Sequence, residues 1–368
     1  MKERYLSLDV MRGLTIALMI IVNTPGSWSN LYAPLAHAAW HGFTPTDLVF
    51  PSFLFIVGTA MSFSFTKYLN SSTASFYGKV VKRTFLIFLI GYLLNAFPFY
   101  EVQADGKVAL IDFSKVRLLG VLQRIALCYF IASVVVYHFK KRGALIVSII
   151  FLLGYWAVMG ALGDFEMLTN IGHKMDLWLL GSGLLYQGEG VPFDPEGLLS
   201  SLPATVNVLA GYLTGLYVKD NPIKKDVALR LLVGGIGLIL LSLMWDMIFP
   251  INKKIWTSSF VLLTCGLDLL ILVFLIITIE ILGKKSWTYF FEVFGKNPLI
   301  LYVLSLIIIR FFYMIKIGDQ TLKAVVYHQG FTSWLTPKSA SFMFAIVYML
   351  LIWLIGLWMD RKGKYIKV

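Results

Sequence analysis

Ten apolar runs, each close to the length a helix needs to cross a bilayer, divide the 368-residue chain. A hydrocarbon core of about 30 Å takes roughly 20 helical residues. The runs fall at 6–24, 45–66, 80–98, 118–138, 143–161, 201–218, 231–249, 257–282, 297–315 and 337–359. With 58% hydrophobic residues, 14% charged and a mean hydropathy of +0.77, the composition excludes an ordinary soluble domain. The expected fold is an all-α polytopic membrane protein of about ten transmembrane helices, forming one integral-membrane domain over 1–368.

The formal net charge of +12 is read through topology rather than as a nucleic-acid signal, because basic residues collect in cytoplasmic loops. Alternate loops carry 20 and 9 Lys and Arg. The richer set includes Lys2, Arg4, Lys67, Lys79, Arg83, Lys140, Lys284 and Lys367, which places both termini in the cytoplasm of an inner-membrane protein. An even number of spans agrees. The N-terminal segment is expected to be a retained first span, because Asp9 and Arg12 interrupt what would be a signal-peptide core. Cys128 and Cys265 both sit in apolar runs, so no structural disulfide is expected. The longest extracytoplasmic loop, 162–200, is acidic; Asp194 and Glu196 either bind an amino-bearing solute or belong to a solvated loop.

Ionisable residues inside spans are costly and face a partner or a cavity. Asp9, Arg12 and Asn23 share one face of the first span, over about 21 Å of helix rise. Either Asp9 and Arg12 pair at i,i+3 with Asn23 bonding a neighbouring helix, or the face is a polar track through the membrane. Arg124 lies about six residues inside the fourth span and is expected to pair with Asp47 or Asp9, or to meet an anionic ligand.

The stretch HAAWHGFTPTDLVFP, at 37–51, follows the first span on the extracytoplasmic side. Thr44, Pro45 and Asp47 read as N-cap, N1 and N3 of a helix with a capping box, and Pro51 is expected to kink it. The positive end of that helix can stabilise an oxyanion. Trp28, Tyr32 and Trp40 fit an interfacial aromatic belt, and Trp40 is also a candidate to bind substrate. His37 and His41 are either interfacial residues or chemistry.

These segments, with GVLQRIALCYF, FDPEGLLSSLPATVNVLAGYLTG, FPINKKIWTSSFVLLT and FGKNPLILYV, carry a resemblance that spans most of the chain in order. Together they resemble the transmembrane acetyltransferase family of heparan-α-glucosaminide N-acetyltransferase and its bacterial relatives. The resemblance implies transfer of an acetyl group from cytoplasmic acetyl-CoA to an amino sugar beyond the membrane, and suggests a homodimer. It implies that His37 is the catalytic histidine of the HAxWxG motif and that Asn23, Asp9 and Arg12 match family positions. His41 takes no family role, and the lumenal domain that precedes the first shared span in the lysosomal enzyme is not expected here.

His37 is thus expected to act as general base, with Asn23 and the end of the second span carrying Asp47 around the oxyanion. Asp9, Arg12, Arg83 and Arg124 are candidates along the acetyl-CoA path, and no metal is expected. The runner-up mechanism acetylates His37 first. The rival function is a multi-span solute or sugar transporter with His37 in a proton relay; clear repeats or paired broken helices, which transporters often show, are not seen. A passive scaffold does not account for buried Asp9, Arg12 and Arg124.

Overall fold

In lipid every backbone polar group must be satisfied within the protein, which favours helices. The computed structural model, which describes residues 5–65, 72–102 and 107–366, is accordingly mostly helical. Lys2, Arg4, Lys67 and Lys367 of the basic set, and residue 66 of the second expected span, lie outside the described residues. The helices are α1 (Leu6–Asn23), α2 (Pro45–Ser64), α3 (Thr73–Ala96), α4 (Val121–Leu162) and the short α5 (Ile171–Leu180). Then come α6 (Ser201–Asp220), α7 (Lys225–Asp246) and α8 (Ser258–Leu275), the last continued by a π-helical segment to Ile281. The chain closes with α9 (Thr288–Lys296), α10 (Pro298–Met314), α11 (Leu322–Tyr327) and α12 (Pro337–Arg361). Two small antiparallel hairpins stand in loops: Tyr100 faces Leu110 in one, and Lys316 faces Thr321 in the other.

Among the described residues, six helices are long and apolar enough to cross a membrane, or seven if α9 and α10, bent by 83°, form one span. The central part of each of the ten expected runs nevertheless falls on helix, while ends such as those at 97–98, 118–120 and 247–249 do not. The difference has physical causes. The 42-residue α4 holds two of the runs, broken at Lys140, whose φ of 54° and ψ of −155° are not helical. Helix α3 carries Lys79, Lys82 and Arg83. Helix α6 is rich in Ser, Thr, Asn and Gly and is buried along most of its length, so its surface is matched to protein rather than to lipid.

Helix α2 packs most extensively on α6. The contact relies on missing side chains: a Cβ on Gly58 would lie 1.8 Å from the Val208 carbonyl oxygen, and one on Gly211 would lie 1.9 Å from that of Phe55. Helix α1 packs on α2 and α9, and α3 on α4. The α9–α10 bend falls at Asn297, whose side chain clasps the chain's own tail. Its amide donates to the Lys364 carbonyl at 3.0 Å, and Ile366 N–H donates back to its oxygen at 3.0 Å.

Candidate active site

The start of α2 is built as its sequence reads. Thr44 caps the helix, Pro45 needs no N–H partner at N1, and Asp47 closes a capping box. Asp47 does more than cap. One oxygen accepts from Thr44 N–H at 2.9 Å and from Ala38 N–H at 3.2 Å, while the other lies 2.7 Å from His37 Nδ1. The Asp47 side chain is 1% exposed and that of His37 is 41% exposed. A buried carboxylate on Nδ1 fixes the tautomer with a proton there, which leaves Nε2 as the basic nitrogen.

His37 and Asp47 open on a cavity of about 280 Å³ that Asn23, Trp28, Glu196 and Lys253 also line. The Asn23 amide bonds to none of the described residues. Charges around the cavity come in pairs. Arg117 holds Asp194 at 2.6 Å and also Glu196; Lys254 holds Glu189 at 2.6 Å; Lys253 lies 3.8 Å from Asp47. Burial opposes the charge of Glu196, but Arg117 overcomes it and keeps the carboxyl below its ordinary pKa. Burial likewise opposes the Arg117 charge, and Glu196 and Asp194 more than restore it. Burial holds Lys253 below the ordinary lysine value, against the pull of Asp47 and Glu196.

A second cavity, of about 380 Å³, lies at the other end of the same helices and is lined by Arg12, Arg83, Tyr129, Lys296 and Ile366. The two meet nearly back to back. On α2, Phe50 faces the first and Phe53 the second; on α4, the neighbours Val121 and Leu122 divide in the same way. On α1, Asn23 faces the first and Arg12 the second. Arg12 pairs with Asp9 at 3.0 Å, and Arg83 lies over the Tyr129 ring at 4.7 Å.

The structure therefore brings His37, Asp47, Asn23 and Glu196 to one cavity and Arg12 and Arg83 to another. Other candidates sit elsewhere. Arg124 is fully buried and pairs with neither Asp47 nor Asp9; it donates to the Gly197 carbonyl and to Ser200, and lies over Trp256. It clamps the segment that carries Glu196 and lines neither cavity. Asp194 is buried under Arg117, outside the cavity wall. Trp40 donates its indole N–H to the Phe165 carbonyl at 3.0 Å and packs on Phe193, so its place is in the loop core; Trp28 reaches the cavity instead. Asp9 lines neither cavity and pairs with Arg12, which lines the second. The Asp47 carboxylate sits at the N-terminal end of α2, holding the Thr44 cap amide and the Ala38 amide of the preceding loop, so an oxyanion there would meet a like charge. Sequence reasoning missed Lys253, Glu189 and Lys254, which read as ordinary loop charges, and Lys296; the motif FPINKKIWTSS was the only signal for the first of them.

A family model described as heparan-alpha-glucosaminide N-acetyltransferase, catalytic, matches residues 4–229. The chain is 29% identical over 359 residues to heparan-alpha-glucosaminide N-acetyltransferase of Homo sapiens, covering 82% of this chain and 52% of that protein. It is 28% identical over 358 residues to the Mus musculus protein of the same name, covering 82% and 53%. The chain thus spans about half the length of the curated relatives it matches.

Proposed function

Since the chain belongs to the heparan-alpha-glucosaminide N-acetyltransferase catalytic family, we propose that it moves an acetyl group from acetyl-CoA to the amine of a glucosamine-type sugar across a membrane. The observation that carries this is the His37–Asp47 pair, 2.7 Å apart, opening on one of two cavities that nearly meet inside the bundle. The basic cavity takes the donor from the cytoplasm, with Arg12, Arg83 and Lys296 toward the CoA phosphates. The His37 cavity faces the other side and takes the sugar. Ten spans with both termini cytoplasmic give this arrangement its sidedness. Family membership does not favour the transporter, which has no use for a donor cavity.

The reading runs through a ternary complex. His37 Nε2 accepts a proton from the attacking amine, Asp47 steadies the imidazolium that forms, and Asn23 bonds the acetyl carbonyl. Glu196 and Glu189 orient the sugar by its hydroxyl and amine protons. The rival sequence, in which His37 is acetylated first, predicts parallel rather than intersecting initial-rate lines.

The test is thiol release from acetyl-CoA by purified protein, with and without glucosamine. Glucosamine should stimulate release, and His37→Ala should lower it by roughly 10²–10⁴-fold while acetyl-CoA binding persists. Wild-type protein that fails to bind acetyl-CoA sinks the proposal and restores the transporter.

A further inference from the structure

We infer that Lys253 is a further catalytic residue, whose ammonium holds the acetyl carbonyl oxygen while that oxygen carries negative charge. The inference rests on the acetyl-transfer reading above and adds to it a group supplied by the turn between α7 and α8.

The position is unusual for a loop lysine. Nζ lies 3.0 Å from His37 Nδ1 and 3.2 Å from Nε2. Near-equal distances to both nitrogens put the ammonium against the ring rather than on the lone pair of either. It is therefore close to the base without being committed to it. An ammonium has three donors and no acceptor, so it cannot itself take the amine proton while charged. What it can do is meet a developing oxyanion beside the base. The obvious competitor for that task is the end of α2, but the Asp47 carboxylate already occupies it, holding the Thr44 cap amide and the Ala38 amide of the preceding loop. Asn23 alone leaves the oxyanion with one neutral donor. Lys253 supplies the charge.

The turn is fixed as a catalytic group requires. Asn252 accepts from Ile255 N–H at 3.1 Å, and its own N–H donates to Thr257 Oγ1 at 3.0 Å. Trp256 is held at φ +52°, a left-handed conformation that is a genuine outlier for a bulky side chain. Such strain persists only where surroundings over-determine it. Here Trp256 is fully buried, its indole N–H donates to Asn207 at 3.1 Å, and its ring meets Phe50 and Phe260 edge-on. The turn is also tied to the loop that carries His37: Gly42 N–H donates to the Ile251 carbonyl at 2.8 Å, and Asn252 lies 3.4 Å from His41. Lys253 and His37 are thus set at a fixed separation by elements more than 200 residues apart in sequence.

The step balances without any further reactant. The amine nitrogen attacks the thioester carbonyl carbon; the C–N bond forms as the carbonyl π pair moves to oxygen. The amine proton passes to His37 Nε2, and Lys253 turns from the ring to the oxygen. The pair on oxygen then re-forms C=O as the C–S bond breaks. The departing thiolate takes the proton from His37.

The role requires a charged Lys253. The groups facing it are His37 from the α1–α2 loop, Asp47 on α2, Glu196 from the 163–200 loop, Arg124 on α4 and Lys254 beside it. Burial, Lys254 and Arg124 favour loss of its proton, and the two carboxylates oppose it. The alkaline limb of kcat should therefore belong to Lys253 and fall below the pH at which a free lysine titrates.

Acetyl transfer to glucosamine by the full chain is measured from about pH 6 to about pH 10 for wild type, Lys253→Met and Lys253→Arg, with elution in detergent as the folding check. Lys253→Met should lower kcat by roughly 10²–10³-fold and leave KM for acetyl-CoA within about twofold. Lys253→Arg should keep part of kcat and move the alkaline limb upward, since a guanidinium does not lose its proton there. A Met variant with wild-type kcat, or an alkaline limb unmoved in the Arg variant, overturns the inference while the acetyltransferase stands. Should the Met variant not fold, the Arg limb decides alone. A wild type that transfers no acetyl group overturns both.

Discussion

At the scale of the residue, Asp47 joins two tasks that usually fall to separate groups. It closes the first turn of α2 and fixes the His37 tautomer with the same carboxylate. Asp47→Asn should therefore separate them. An asparagine oxygen at this third helical position can still accept from the Thr44 N–H, so stability should change by no more than about 1.5 kcal/mol. The amide cannot steady an imidazolium, so kcat should fall by roughly 10²–10⁴-fold. Thermal unfolding in detergent beside acetyl-transfer rates would check this; a loss of stability as large as the loss of rate would make Asp47 a structural residue only. His37, Asn23 and Asp47 were legible in the sequence because a helix end, a short loop and a cap fall within 25 residues, and because the family resemblance singled out His37 and Asn23. Arg124 and Lys253 were not. A buried arginine announces that it has a partner but not which one, and here the partners are Gly197 and Ser200, 73 and 76 residues on. Lys253 was counted among loop charges because nothing in its own neighbourhood places a histidine beside it.

At the scale of the element, the positions of the helices were readable from hydropathy, and their environments were not. The run at 201–218 gave no sign that α6 is enclosed by α2, α4 and α8 rather than exposed to lipid. Its glycines held that information, since close helix approach in a membrane needs small residues. Gly58→Leu should force α2 from α6 against backbone, because even a Cβ there would meet the Val208 carbonyl at 1.8 Å. The expected loss is at least the roughly 1–3 kcal/mol of an overpacked core, with acetyl transfer falling too because α2 carries Asp47. Unfolding midpoints of the variant decide it; an unchanged midpoint means the helices are not in contact as described. A second prediction concerns α5. Burial raises Asp176 to a pKa of about 6, although its carboxylate accepts from Leu198 N–H. A carboxyl raised from 3.8 favours the folded state below that value, and the advantage is lost as pH climbs through about 6. Stability of the segment around α5 should thus decline between those limits, by up to about 3 kcal/mol. Asp176→Asn should flatten the dependence, read as hydrogen-exchange protection factors for 171–200; an identical pH slope in the variant would remove Asp176 as its cause.

At the scale of the molecule, the two cavities divide the proposed reaction by ligand. Arg83 lines the basic cavity and its guanidinium Nε has no hydrogen-bond partner among the described residues. Arg83→Gln should raise KM for acetyl-CoA by roughly tenfold, the worth of one charge-assisted contact, and leave KM for glucosamine unchanged. Saturation curves for each substrate in turn would test it, and equal changes in both would mean that the cavities do not serve separate ligands. The sequence suggested a polar track along α1. It could not show that the track is interrupted, because Phe50, Phe53, Val121 and Leu122 meet only in the folded bundle.

The tail clasped by Asn297 has a practical consequence. Ile366 forms part of the wall of the basic cavity and is held there by its N–H donating to the Asn297 side chain. A fluorescent protein or affinity handle attached at Ile366 would hang from the cavity wall itself. Donor kinetics measured on such a fusion would report the handle as much as the enzyme. An environment-sensitive dye at the same place would turn the fault into an instrument, its signal following the filling of the cavity in real time.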